Sequence, residues 1–258
     1  MVMNDRIAAL QKTLAEQGLD GVLYGPCANM QYLLKDTSYY WQRTPNTGHY
    51  LLKDSPFCSN TLSFFHCKPD VVIWIPVEGE AAVVASFERA KSMVNTKPDA
   101  VCHYVMIGDY IAPFIGSAKK IAIGLGCENA LKDMLMEINH EIETVPGEIL
   151  VETMRMCKDG DEIAAMRRVA EFTDFCMGEI VKILKPGITG WEVECRLNEL
   201  AVEHGCSDIP FTPTCSFSKF GVPFGKVSKS TPLEPGMAIA FDNGFVMDGY
   251  CSDFGRSF

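Results

Sequence analysis

The sequence predicts an α/β domain over residues 1–150, followed by an α+β domain over residues 151–258. Short apolar runs alternate with helical patterns in the first part, a polar break over residues 157–162 precedes a long amphipathic helix, and proline-punctuated β patterns begin near Phe211. Alternating strands and helices are typical of α/β domains, and separated helices and strands of α+β domains. A chain of 258 residues also suits two domains, since one domain usually has about 100–200 residues.

The first predicted domain begins with an amphipathic helix over residues 4–17. Asn4 or Asp5 is its expected N-cap and Gly18 its expected stop, and its apolar face consists of Ile7, Leu10 and Leu14. The later apolar runs and helical spacings predict strands over residues 21–25, 71–76, 81–85, 101–106, 121–124 and 143–145, and helices over residues 87–94 and 130–138.

Residues 35–70 have no clear period and predict a long loop or insertion. The loop contains His49 and His66. Lone histidines in loops are more often packed or solvated than metal ligands, because metal sites use clustered ligands. We therefore expect neither histidine to bind a metal.

A glycine-containing pattern, Gly124-Leu-Gly-Cys-Glu-Asn129, follows one predicted strand and precedes a predicted helix. Dinucleotide-binding turns occupy the same kind of position. The third glycine of that fingerprint is replaced by Asn129, and no acidic residue follows in a clear βαβ context. We therefore interpret the pattern as a turn into a helix.

The second predicted domain begins with a long helix, which Lys185-Pro-Gly187 ends. A capping box, Thr189-Gly-Trp-Glu192, starts a second helix that runs to about Gly205. Further on, residues 237–241 and the residues from Tyr250 onward predict the two arms of a hairpin, whose turn contains an Asp-Gly pair. The buried face of the long helix is predicted to consist of Ile163, Met166, Val169, Phe172, Cys176 and Ile180.

The composition is that of an ordinary globular protein, and its charge excludes several kinds of partner. The net charge of −10 and pI of about 5.0 argue against nucleic acid and anionic membrane surfaces, because nothing would offset phosphate repulsion. The first residues do not resemble a signal peptide, and no apolar run is long enough to span a membrane, so we expect a cytoplasmic protein. Eleven cysteines without a CxxC pair indicate neither a disulfide framework nor a zinc knuckle.

Two aspartates near the end of the sequence are the candidate functional residues. A four-residue hairpin loop over residues 246–249 would place Asp242 directly opposite Asp253 on one face of the sheet. Carboxylates held that close repel each other, and divalent cations favour carboxylate oxygen, so a metal ion is one compensation. Two alternatives stay open: a different register with both side chains solvated, or a pair between one aspartate and Arg256.

The motif around these aspartates resembles that of a known family. Asp242-Asn-Gly244, followed by Gly249-Tyr-Cys-Ser-Asp253-Phe-Gly-Arg256, is similar to the D-x-G and G-Y-x-S-D-x-T-R signature of the pita-bread metallopeptidases, in the creatinase and Xaa-Pro peptidase branch that includes prolidase and aminopeptidase P. The resemblance is close over residues 150–258 and looser over the first 149. Upstream segments similar to the family are Lys158 with Glu162, Leu184-Lys-Pro-Gly-Ile-Thr189 and Glu234-Pro-Gly236.

The resemblance implies an α/β creatinase-like domain before an α+β pita-bread domain that acts as an Xaa-Pro dipeptidase or aminopeptidase on short peptides. It implies two divalent metal ions, Mn, Co or Zn, with Asp242 and Asp253 as the first two ligands, and a histidine and two glutamates later in the domain. It also implies a homodimer. Because the sequence ends at Phe258, we expect only the first half of the pita-bread domain, and little activity from these residues alone.

The sequence departs from the family pattern at two further positions. Phe224 stands in Pro-Phe-Gly where the peptidases have a histidine that contacts substrate, and phenylalanine cannot donate that hydrogen bond. Gly255 replaces a threonine of the signature. No catalytic residue is therefore assigned, and two alternatives to a metallopeptidase remain: a creatinase-like amidine hydrolase without a metal, and a non-catalytic pita-bread module that binds a peptide or protein.

Overall fold

The computed structural model describes residues 2–38, 40–41, 69–124, 127–219, 221–222 and 227–258. These residues form two compact units, the first ending at Lys158 and the second beginning at Asp159. The described part of the chain contains no helix that is both long and apolar enough to cross a bilayer.

The first unit is built from strands that alternate with helices. In chain order its elements are α1 (Asp5–Glu16), β1 (Gly21–Tyr24), α2 (Ala28–Leu34), β2 (Val71–Pro76), β3 (Ala82–Ser86), α3 (Phe87–Ser92), β4 (Ala100–Cys102), a 3₁₀ turn (Tyr104–Met106), α4 (Ile107–Ile115), β5 (Lys120–Ile123), α5 (Glu128–Ile138), β6 (Glu143–Pro146) and α6 (Ile149–Met156).

The six strands form one sheet with the order β4-β3-β2-β1-β5-β6. Strand β2 is antiparallel to both its neighbours, and the other pairs are parallel. Helices α1, α2 and α6 pack on one face of the sheet, while α4 and α5 pack on the other. Ile73 and Trp74, consecutive in β2, lie in these two different cores, as the alternation of side chains along a strand requires. The predicted α/β class of the first part is confirmed.

The first helix follows its sequence signals closely. The Asn4 side-chain oxygen accepts hydrogen bonds from the backbone N–H groups of Arg6 and Ile7, each at 3.0 Å. Gly18 follows the helix with a φ of +64°, a backbone conformation that glycine adopts without a steric penalty. The predicted cap and stop of α1 are therefore confirmed.

Three elements of the first unit differ from the prediction. The strand predicted over residues 101–106 ends at Cys102, and a 3₁₀ turn takes up the rest. Helix α2 was missed because its N-cap is Cys27, whose sulfur accepts from the Met30 N–H at 3.4 Å, and cysteine is not a usual cap. Helix α4 was missed because it contains Gly108 and Pro113, two residues that disfavour helix interiors.

Helix α6 lies beyond residue 150 but packs with the first unit. Its Leu150 and Val151 are buried in the same core as α1 and α2. The division between the units therefore follows the helix, at Lys158 and Asp159, rather than preceding it at the boundary predicted from composition.

The second unit combines two helices with short antiparallel strands. Its elements are α7 (Gly160–Ile183), α8 (Gly190–Glu203), β7 (Thr214–Ser218), β8 (Ala238–Asn243), β9 (Val246–Met247), β10 (Tyr250–Cys251) and β11 (Phe254–Ser257). Strands β11, β8 and β7 form a sheet with β8 in the centre, and β9 pairs with β10. Both helices start at capping boxes, Asp159 with Glu162 and Thr189 with Glu192; the second of these confirms the predicted start of α8.

The buried face of α7 differs from the prediction in its first two turns. Ile163 and Met166 are 42% and 41% exposed, so their predicted burial is wrong. Glu162 and Ala165 occupy the buried stripe instead, because a hydrogen bond to the Glu162 carboxylate compensates for its burial. From Val169 onward the predicted stripe is correct.

The buried cysteines behave as small apolar residues. Cys27, Cys176, Cys206 and Cys215 are buried. Burial raises the pKa of the Cys27 thiol to about 11 and the pKa of each of the other three thiols to about 12. These four thiols are therefore protonated near neutral pH and are poor nucleophiles.

Gly190, the first residue of α8, allows the helix to approach strand β7, and this gives a stability prediction. A Cβ at this position would lie 2.1 Å from the Cys215 carbonyl oxygen, so Gly190→Ala must push α8 away from β7. We expect the free energy of unfolding to fall by about 2 kcal/mol or more, as measured by urea denaturation.

The matched control is Gly160, the first residue of α7, where an added Cβ would meet nothing within 4 Å. Gly160→Ala should leave the free energy of unfolding within about 0.5 kcal/mol of wild type, or raise it slightly. Equal losses in the two variants would contradict the proposed close approach of α8 to β7.

Candidate metal centre

The strands around the two aspartates have a different register from the predicted one. Asp242 is opposite Gly255 in the pairing of β8 with β11, and Met247 is opposite Tyr250 in the pairing of β9 with β10. The prediction that Asp242 faces Asp253 directly across a four-residue loop is therefore wrong. The physical reason is the turn: only Asp248 and Gly249 form it.

The turn residues explain why the loop is this short. Asp248 has a φ of +51° and Gly249 a φ of +75°. Positive φ at both central residues is the mark of a type I′ turn, whose twist matches that of an antiparallel pair and which favours the Asp-Gly sequence. The prediction that this dipeptide forms the turn is confirmed, although the loop is shorter than expected.

The observed register still brings the aspartates to the same side of the hairpin. Asp253 lies two residues before Gly255, so it is the diagonal neighbour of Asp242 along the ladder. Diagonal neighbours in a regular ladder are about 7–8 Å apart and share a face. That separation allows two carboxylate side chains to converge on one cation or on a pair of cations.

Both aspartate side chains are exposed, whereas alternate residues of β8 are buried. Ile239, Phe241 and Asn243 face the core, and Asp242 faces away from it. Within the described residues, neither Asp242 nor Asp253 has a hydrogen bond or an ion pair through its carboxylate. The first alternative predicted a different register with both side chains in water. Both of these features are observed, since Asp242 is opposite Gly255 and both carboxylates are exposed.

The other alternative, a pair with Arg256, is not observed. The Arg256 guanidinium donates to the Gly255 carbonyl oxygen at 2.7 Å and lies 3.7 Å from the centre of the Phe254 ring. Arg256 is also opposite Phe241 in the ladder, which places it on the face away from Asp242. Gly255 leaves space beside Asp242, because a Cβ there would meet only the Phe241 carbonyl oxygen, at 3.7 Å.

Helix α7 holds the hairpin through three side-chain contacts, which we call the α7 clamp. The Tyr250 hydroxyl donates to the Glu162 carboxylate at 2.5 Å, the Arg168 guanidinium pairs with Asp248 at 2.7 Å, and the Thr173 hydroxyl lies 2.7 Å from that of Ser252. Residues 248, 250 and 252 alternate along the hairpin, so their side chains share the face toward α7. Asp253 is one position further along, so its side chain points to the opposite face, away from α7.

The family-like glycine at position 244 is required by a close backbone approach. A Cβ at Gly244 would lie 2.2 Å from the Ser252 carbonyl oxygen. The Ser252 N–H donates to the Phe245 carbonyl oxygen at 3.0 Å, and the Phe245 N–H donates to the Ser252 hydroxyl at 3.0 Å. The two segments that follow Asp242 and precede Asp253 are therefore joined directly.

Strand β7, the other neighbour of β8, is fixed by a buried carboxylate of α8. The Glu194 side chain accepts from the Cys215 N–H at 3.1 Å and from the Lys229 ammonium at 2.6 Å. Burial raises the pKa of Glu194, and the hydrogen bonds from Lys229 and Cys215 oppose that rise. Thr214, the residue before Cys215, is opposite Asp242. The sequence signal for this anchor was an acidic residue within the apolar stripe of α8, and it was missed.

Two of the family-like segments meet in the structure. The Gly187 N–H donates to the Leu233 carbonyl oxygen at 2.9 Å, and the Leu233 N–H donates to the Ile188 carbonyl oxygen at 2.8 Å. Residues 184–189 are thus joined to the start of the segment that leads to Glu234-Pro-Gly236 and β8. Phe224 lies outside the described residues, as do His49, His66 and Gly126, so the predictions about them stay predictions.

The two carboxylates at the hairpin suit a hard divalent cation, but they are few for a metal site. Two carboxylates on one face, with no ion pair or hydrogen bond within the described residues, supply oxygen ligands of the kind that Mn²⁺ and Mg²⁺ prefer. The described residues contain no group of three or more His, Cys, Asp or Glu side chains that could hold a metal ion. Asp242 and Asp253 are therefore two candidate ligands rather than a full coordination shell.

Comparison with known proteins finds relatives of the second part of the chain. Residues 164–258, which include both aspartates, match metallopeptidase family M24. A putative dipeptidase of Bacillus subtilis (strain 168) is 30% identical over 115 residues, covering 44% of this chain and 31% of that protein. An uncharacterized peptidase of Staphylococcus aureus (strain USA300) is 29% identical over 115 residues, covering 43% of this chain and 31% of that protein.

Solved structures share the fold over nearly the whole chain. The prolidase from Pyrococcus horikoshii OT3 has a TM-score of 0.73 at 17% identity, covering 99% of this chain and 65% of that chain. The Xaa-Pro dipeptidase from Bacillus anthracis has a TM-score of 0.70 at 21% identity, covering 98% of this chain and 64% of that chain. This chain thus spans about two thirds of the length of these neighbours. Residues 164–258 thus resemble metallopeptidase family M24, in agreement with the resemblance drawn from the sequence. The predicted fold class is confirmed.

Proposed function

We propose, from the match of residues 164–258 to metallopeptidase family M24, that this chain belongs to a metal-dependent, cytoplasmic peptidase of the Xaa-Pro dipeptidase or aminopeptidase type. Asp242 and Asp253 are its proposed metal ligands. The observation that carries the proposal is the pair of exposed carboxylates on one face of the hairpin, inside the matched segment, which have no hydrogen bond or ion pair within the described residues. The first unit, which ends at Lys158, is the proposed creatinase-like domain, and the second unit, from Asp159, is the proposed first half of a pita-bread domain.

The proposal assigns the chemistry to the metal ions and the positioning of those ions to the protein side chains. Divalent ions would polarise a substrate carbonyl and activate water. This chain's own residues would hold and orient them: Asp242 from the central strand β8, and Asp253 from the segment before β11. The α7 clamp keeps these segments in place. Gly255 has no side chain and therefore leaves room beside Asp242. Under the proposal, Phe224 cannot supply the hydrogen bond that a histidine would give to substrate.

Binding of Mn²⁺ tests the proposed ligands directly. Because both carboxylates contribute to one site, Asp242→Asn and Asp253→Asn should each weaken Mn²⁺ binding by about tenfold or more, as expected when an anionic oxygen ligand loses its charge. Water-proton relaxation during a Mn²⁺ titration of the 258-residue chain measures the affinity.

The matched control for this titration is Asp174→Asn, which removes an exposed carboxylate of the same unit that takes no part in the α7 clamp. The control should bind Mn²⁺ within about twofold of wild type, since long-range charge effects at the surface are weak in salt. Equal losses in all three variants would indicate non-specific attraction and would contradict the proposed site.

Peptidase activity tests the second part of the proposal. The resemblance implies a histidine and two glutamates after the second aspartate, and only five residues follow Asp253 in this sequence. We therefore expect no release of the first residue from an Xaa-Pro dipeptide by these 258 residues with Mn²⁺ or Co²⁺, as measured by chromatography of the products.

Turnover that Asp253→Asn abolishes would contradict the expected inactivity while supporting the metal ligands. Peptide binding without turnover, in a longer chain that contains the implied later ligands, would instead favour the non-catalytic binding module. Phe224, in place of the histidine, is the sequence observation in favour of that second candidate.

We also propose that the chain forms a homodimer, as the family resemblance implies. Exposed apolar side chains on the first unit support association, since large exposed apolar patches are often interaction sites; they include Tyr104, Val105, Met106 and Tyr110. Light scattering should give a mass of about twice the 28.5 kDa of the monomer, because two copies associate. A monomer at all concentrations tested would contradict the dimer.

A further inference from the structure

We infer that Thr173 of α7 is a positioning residue for Asp242 and Asp253, and that it acts through Ser252. The inference rests on the proposed function, because it assigns Thr173 a role toward the proposed metal ligands. Thr173 touches neither aspartate. Its contact is to the hydroxyl of Ser252, the residue bonded directly to Asp253.

Thr173 is 1% exposed, and its hydroxyl has two partners at the same distance. It lies 2.7 Å from the Val169 carbonyl oxygen and 2.7 Å from the Ser252 hydroxyl. A threonine hydroxyl has one proton, and a carbonyl oxygen can only accept. All groups are satisfied when Thr173 donates to Val169 and Ser252 donates to Thr173.

Ser252 is also bonded to the segment that follows Asp242. Its hydroxyl accepts from the Phe245 N–H at 3.0 Å, and its own N–H donates to the Phe245 carbonyl oxygen at 3.0 Å. The result is a continuous chain of hydrogen bonds from Phe245 through Ser252 and Thr173 to Val169.

This chain of bonds lies at the gap between the two regular ladders. Strand β8 ends at Asn243 and β10 ends at Cys251, so Ser252 and Asp253 belong to neither pairing of regular strands. The Ser252 N–H still bonds the Phe245 carbonyl oxygen between the two ladders. The Ser252 hydroxyl adds a second bond to Phe245, and Thr173 connects that hydroxyl to a rigid helix.

The hydroxyl of Thr173 is not needed for packing. Its neighbours in the buried stripe of α7 include Val169, Phe172 and Cys176, among which a valine would fill nearly the same space. Burying a hydroxyl is unfavourable unless it is hydrogen-bonded. The hydroxyl of Thr173 is therefore best explained by its hydrogen bond to Ser252, which lies 79 residues further along the chain.

The position of the bond also distinguishes it from the rest of the α7 clamp. The contacts of Glu162 and Arg168 reach Tyr250 in β10 and the turn residue Asp248, and both residues are further from Asp253 along the chain than Ser252 is. Of the three clamp contacts, that of Thr173 is the one made to the residue next to a proposed ligand.

The test compares Thr173→Val, which removes the hydroxyl, with Thr173→Ser, which keeps it. In amide hydrogen exchange measured by NMR, the Phe245 N–H should exchange about fivefold faster in Thr173→Val, as the loss of one net hydrogen bond implies. The Mn²⁺ affinity of the same variant should fall about threefold to tenfold, at or below the lower end of the range for outer-shell partners of metal ligands.

Thr173→Ser should match wild type in both measurements, which a role in packing alone would not predict. Similar losses in Thr173→Val and Thr173→Ser would show that the lost methyl or volume matters, and would overturn the inference. Unchanged Phe245 exchange and unchanged Mn²⁺ affinity in Thr173→Val would overturn it as well.

Ser252→Ala is the second variant, for use if Thr173→Val does not fold. It removes the same connection from the less buried partner and should also weaken Mn²⁺ binding by about threefold to tenfold; wild-type affinity in this variant would overturn the inference. Failure of the proposed function has a different outcome. Wild-type Mn²⁺ binding would then not depend on Asp242 or Asp253, while Phe245 exchange would still decide whether Thr173 anchors Ser252.

Discussion

The α7 clamp is the constraint on which the candidate site depends. Side chains at alternate positions of a hairpin point to opposite sides, and the clamp binds one set of them to the helix. The side chains at the intervening positions then point away from the helix, and that of Asp253 is one of them. In the paired strand, Phe241 and Asn243 face the core while Asp242 faces away. Fixing one face of the hairpin on α7 therefore presents both carboxylates on the other face.

Local signals in the sequence predicted much of the fold, because their physical causes are local. A cap at Asn4, a capping box at Thr189 and an Asp-Gly turn each depend on a few neighbouring residues, and all three are present in the structure. Elements with unusual local chemistry were missed. Helix α4 contains a proline, although Ile107, Ile111 and Ile115 recur at helical spacing along its buried face, which was the signal for it.

The register was predicted wrongly, yet the conclusion drawn from it survived for a physical reason. A four-residue loop would place Asp253 opposite Asp242, whereas the observed two-residue turn places Gly255 there. A slip of one residue would have sent one carboxylate to the other face, but a difference of two residues preserves the face. The sequence could thus predict that the aspartates share a face. It could not predict the α7 clamp, because contacts between residues as far apart as Thr173 and Ser252 depend on the tertiary fold.

The shape of the hairpin is held by contacts that need no metal ion, and this bears on why the aspartates are there. The type I′ turn, the two ladders and the α7 clamp hold the hairpin together. Aspartate is disfavoured in strands such as β8. Among the described residues, the Asp242 carboxylate makes no contact that would offset this cost. A residue that weakens its own strand and gains no hydrogen bond or ion pair within the described part of the chain is better explained by what it binds than by the fold that carries it.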